Sequence, residues 1–71
     1  MKTMREVLEE YDFKWDDKDE LWIRKEGFGR KSTVDVMFKN LFIIHKSGKK
    51  VYDHYIESFG EFSDIIRKNF S

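Results

Sequence analysis

The chain has no cysteine, no proline, only four glycines and no net charge. Without Cys there is neither a disulfide staple nor a thiolate metal site, so a domain this small must be held by apolar packing or by assembly. Without Pro, and with little Gly, no stretch reads as a linker, and a single domain over residues 1–71 is expected. No apolar run approaches the roughly 20 residues of a membrane-spanning helix. No signal-like apolar segment follows a basic start either, so the expected localisation is cytoplasmic.

What the chain does have is aromatic mass. Seven Phe, three Tyr and two Trp supply a large buried area per residue, enough to argue for a folded domain although 39% of residues are charged. The zero net charge conceals three blocks. Residues 24–50 carry eight Lys or Arg against two acids, residues 1–23 four against eight, and residues 51–71 two against four. Separated blocks of charge steer partners even when their sum vanishes, so the basic centre is a candidate contact region.

Thr3 and Glu6 form a capping-box pattern, and Met4, Val7, Leu8 and Tyr11 recur at helical spacing behind it, which predicts a helix starting at Met4. Phe13 and Trp15, the acidic run 16–20, and then Leu21 and Ile23 with Trp22 on the opposite face read as a hairpin whose first strand is very short. From Thr33 the even positions Val34, Val36, Phe38, Phe42 and Ile44 are apolar, the period of a strand, and this stretch is read as one long, bent strand. Ser47-Gly48 marks a turn into a returning strand from Val51 to Ile56. Ser58 and Glu61 repeat the capping pattern ahead of Phe59, Phe62, Ile65, Ile66 and Phe70, a helical stripe assigned to the core.

The fold class expected is therefore α+β, an antiparallel sheet of three or four strands between an N-terminal and a C-terminal helix, both helices on one sheet face. The other face is left open. Trp22, Met37 and Ile43, with Tyr52 or Tyr55, are expected there as an interface.

The layout of helix, strands and helix in so short a chain is similar to that of the double-stranded-RNA-binding domain and of the small HicA-type mRNA-cleaving toxins. The similarity stops at layout. The last helix opens with Ser58, Phe59, Gly60 and Glu61 where the RNA-binding family carries a basic cluster, and the early strand reads Leu21, Trp22, Ile23, Arg24 where the toxin family carries a His.

Several constellations bear on chemistry. Arg24, Lys25, Arg30, Lys31, Lys39, Lys49 and Lys50 are candidate contacts to a partner or to phosphates, with Lys46 beside them and Phe28 or Trp22 as stacking surfaces. The glycines around Phe28 make neither a Walker nor a dinucleotide fingerprint. Asp16, Asp17, Asp19 and Glu20 lack the order of a calcium loop and are read as a solvated hairpin tip. His45 and His54 are too few for a metal site, and no nucleophile or acid–base pair is specified, so no catalytic residue, metal or cofactor is assigned. The expectation is a small non-catalytic regulatory protein of the mobile-element type that binds and occludes a partner protein or pairs as a homodimer. The alternative is nucleic-acid binding through residues 24–50.

Overall fold

The computed structural model describes residues 2–70. Helix α1 (Met4–Glu10) is followed by strands β1 (Lys14–Asp16), β2 (Leu21–Lys25), β3 (Lys31–Met37), β4 (Leu41–Lys46) and β5 (Lys49–Tyr55), then helix α2 (Phe59–Phe70). The five strands form an antiparallel meander in chain order: the three-residue β1 does pair with β2, and the count exceeds the upper expectation by one because the single long strand expected from Thr33 onward is two strands, β3 and β4. No helix is long and apolar enough to cross a membrane, among the described residues.

Both helix starts are built as their sequences dictate. The Glu6 amide donates to Thr3 Oγ1 at 3.2 Å while the Thr3 amide donates to the Glu6 carboxylate at 3.1 Å, which satisfies two otherwise free donors. At α2 the Glu61 amide donates to Ser58 Oγ at 3.1 Å, and the Glu61 carboxylate accepts from the Glu57 amide.

The core lies between the two helices and one face of the sheet. Val7 and Leu8 of α1 and Phe62, Ile66 and Phe70 of α2 pack with Phe13 and Ile56 against Val34, Phe42 and Ile44, all buried. The aromatic pairs Phe13–Phe70 and Phe42–Phe62, with ring centroids 5.0 and 5.4 Å apart, fasten α2 to the rest. Phe59, by contrast, opens α2 half-exposed rather than in the core.

The long bent strand is instead a hairpin. Phe38–Asn40 form a single 3₁₀ turn with Lys39 and Asn40 both left-handed, at φ 60° and 64°, and Phe38 is exposed at its tip. Because Met37 pairs with Leu41 and Val36 with Phe42, even-numbered residues return to the same face, so the alternation runs through the turn without a break. The Ser47-Gly48 turn is where it was expected, with φ of 52° and 87° at its two residues.

The face assigned to Trp22 also needs correction. It pairs with Val34, which pairs with Ile44, so Trp22 lies on the helix side, packed against the core and edge-to-face with Trp15 at 5.7 Å. Leu21 and Ile23 take the open face. Three consecutive apolar residues give a period of two no contrast, and a slip of one residue exchanges the faces.

Candidate contact surface on the open sheet face

The open face is organised in rows that cross the strands. One row runs Lys14, Ile23, Thr33, His45, Lys50 from β1 to β5, each residue in register with the next. The next row pairs Asp16 with Leu21 on one side and Asp35 with Ile43 and Asp53 on the other; carrying the Trp22–Val34 register one residue on sets Leu21 beside Asp35. A third row, Met37, Leu41 and Tyr55, closes the far end, and Lys25 with Lys31 closes the near end. The face is thus banded from basic, through acidic with aliphatics between the acids, to apolar.

A bulge in β5 completes the banding. Ile44 pairs with Tyr52, but His45 pairs with Lys50, so Val51 is an extra residue in the ladder. Residues three apart on a regular strand face opposite sides; with the bulge between them, Lys50 and Asp53 share the open face, and Lys50 Nζ meets Asp53 Oδ2 at 3.0 Å.

Met37 and Ile43 therefore stand where an interface was expected, and Leu21, Ile23, Leu41 and Tyr55 join them. Tyr52 does not: it lies against the core, where burial raises its phenol pKa above the ordinary value, and its hydroxyl donates to the Tyr55 carbonyl at 3.2 Å.

The seven candidate cations do not converge on one face. Arg24 is withdrawn into the fold on the helix side: Nε donates to Glu26 at 2.9 Å, Nη1 reaches the Tyr11 and Phe70 carbonyls at 3.3 and 3.4 Å, and the guanidinium lies 5.0 Å from the Phe70 ring centroid. Glu26 also accepts from Ser32, a fully buried hydroxyl that in turn accepts from the Ser47 amide. The Arg24 guanidinium, and after it the Ser32 hydroxyl, hold the Glu26 carboxyl below the ordinary glutamate pKa. Lys39 sits at the β3–β4 turn, at the opposite end of β3 from Lys31, with its ammonium 5.7 Å from the Phe38 ring centroid.

Lys25, Arg30, Lys31, Lys49 and Lys50 do share one end of the sheet. The β2–β3 and β4–β5 hairpin tips are laced together there by the Gly48 amide donating to the Lys31 carbonyl at 3.1 Å. Lys25 faces Lys31, and Lys46 faces Lys49, in two like-charged cross-strand pairs, and the Phe28 side chain is fully exposed at the tip. The two pairs lie on opposite sides of the sheet, so the basic end wraps around its rim.

His45 lies on the open face and His54, in register with Phe42, on the helix side, so the two histidines do not meet. The acidic tip is a turn: Asp16 Oδ1 accepts from the Lys18 and Asp19 amides at 2.9 and 3.2 Å. Among the described residues no three His, Asp or Glu side chains gather in a way that could hold a metal ion. No protein-family model, curated protein or solved structure matches the chain.

Proposed function

We propose that this is a small non-catalytic interaction protein that acts by covering a partner protein's surface with the open face of its sheet. One observation carries the reading: Leu21, Ile23, Met37, Leu41, Ile43 and Tyr55 share a face on which neither helix packs, in a chain whose core is complete on the other side. Six apolar side chains on one face, grouped towards its far end and bordered by charges of both signs, form an apolar patch of the kind that marks a protein contact. The charges give orientation and partner selection rather than bulk affinity.

The test is site-specific photo-crosslinking in cell extract, with benzoylphenylalanine in place of Ile43 on the open face or of Asp64 on the exposed side of α2. Discrete adducts from position 43 and none from position 64 support the reading. Equal labelling from both, or none from either, overturns it.

A second reading, nucleic-acid binding, is favoured by the basic end, where two like-charged cross-strand pairs stand beside the exposed Phe28. Like charges directly opposite each other cost stability, and a polyanion lying over them would relieve that cost. It ranks second because Arg24 is committed to the fold and Lys39 is at the other end. Anisotropy of labelled single strands at low and high salt separates the readings, since phosphate contacts weaken steeply with salt and an apolar contact hardly responds.

A further inference from the structure

The open face is complementary to itself, and we propose that its occupant is a second copy of this chain, stacked face to face about a two-fold axis that runs across the strands between the basic and the acidic row. The proposal rests on the open-face reading and names the partner. A two-fold axis in that position reverses strand direction but keeps strand order, so each residue of the basic row lies over the acidic-row residue of the same strand in the other copy. Lys14 then lies over Asp16, Ile23 over Leu21, Thr33 over Asp35, and Lys50 over Asp53. Charge meets opposite charge, aliphatic meets aliphatic, and a hydroxyl meets a carboxylate. His45 lies over Ile43 and, one row further out, Lys31 lies over Met37; these are the mixed contacts of the arrangement.

The alternatives fit less well. An axis parallel to the strands lays each row on its own reverse, Lys14 over Lys50 and Lys50 over Lys14, so like charges face each other at both edges. Edge-to-edge pairing through β5 meets the bulge at Val51 and the adjacent Lys49 and Lys50, the devices by which sheet edges avoid pairing. Face-to-face packing of two twisted sheets at about 30° needs neither edge. Five strands about 4.8 Å apart and about seven residues of about 3.3 Å each give a footprint on the order of 500 Å² in projection. That lies below the roughly 800 Å² per partner of a standard interface, so the dimer is a reversible one that forms as concentration rises.

The experiment reverses one predicted contact. Lys50 and Asp53 are both exposed, so Lys50→Asp and Asp53→Lys leave the core intact, which circular dichroism and thermal unfolding of each variant verify. In sedimentation velocity across a concentration series the wild-type chain dimerises, and each single variant, with two symmetry-related like-charge contacts, dimerises at least about tenfold more weakly. Mixing the two single variants restores the dimer, because the carboxylate introduced at position 50 of one chain then lies over the ammonium introduced at position 53 of the other. The mixture decides the matter, since neither chain in it regains its own internal ion pair and a merely structural role for Lys50–Asp53 would not be rescued. A wild-type chain that stays monomeric, single variants that dimerise like wild type, or a mixture that does not recover would each overturn the proposal. A monomeric wild-type chain whose position-43 crosslinker still captures a different protein would remove self-pairing and leave the open-face reading standing; loss of both removes both.

Discussion

Arg24 and Glu26 stand two residues apart on one side of the chain, joined by two hydrogen bonds of 2.9 and 3.3 Å, and through them the end of β2 is tied to the carbonyls of Tyr11 and Phe70. Both side chains are about four-fifths covered. Arg24→Ala leaves Glu26 and two carbonyls short of a donor and is expected to cost about 1–3 kcal/mol. In a domain this size each kcal/mol lowers the unfolding midpoint by about 4–8 °C, which thermal denaturation reads directly.

The same pair sets an acid limb. With the Glu26 pKa lowered in the fold, its contribution is fully present above the ordinary glutamate value near about 4.3 and is lost as pH falls from there through the lowered folded value. Glu26→Gln is therefore less stable than wild type at neutral pH, and the difference narrows in that acid window. Urea midpoints collected at descending pH check both statements. Parallel curves with a constant offset would contradict them.

Truncation of the shared core is expected to be severe. Ile66 is fully buried in the cluster that joins α2 to the sheet, and Ile66→Ala should cost about 2–5 kcal/mol, against about 1 kcal/mol for Ile66→Val. A small domain has a margin of roughly 5 kcal/mol at the lower end of the usual range, so the alanine variant is largely unfolded in mild urea while the valine variant is not. Equilibrium urea unfolding distinguishes them.

One substitution should stabilise. Lys39 holds φ 60° in the exposed turn between β3 and β4, a conformation that costs a residue with a side chain roughly 1 kcal/mol and glycine very little. Lys39→Gly is expected to raise stability by about 0.5–1 kcal/mol despite losing the contact with Phe38. A fall in the thermal midpoint would show that this contact outweighs the backbone strain.

The parts legible from sequence were those with local codes. Thr3 and Glu6 announce α1, Ser58 and Glu61 announce α2, and Ser47-Gly48 announces the last hairpin, because each signal and its consequence lie within four residues of one another. What was not legible depends on pairing between distant residues. The turn at Phe38–Asn40 is hidden because its hairpin preserves the parity of the flanking strands, and the side taken by Trp22 is set by Val34, twelve residues away. Arg24 counted as a free cation, although the strand period of two places it beside Glu26, a signal that the basic total of the segment obscures. The banding of the open face had no local code at all, since it appears only once five strands are in register and Val51 has shifted β5 by one.

The central claim, that two copies of the chain pair through the open face rather than through the basic end, is tested most directly by methyl and amide NMR spectra across a dilution series from about 1 mM to about 10 µM, a span that covers a weak dimer. The account predicts concentration-dependent shifts at Leu21, Ile23, Met37, Leu41 and Ile43, with Ile44 and Ile66 in the core and Phe28 and Arg30 at the tip unmoved. Spectra that do not change on dilution, or changes confined to Phe28, Arg30 and the lysines around them, would contradict it.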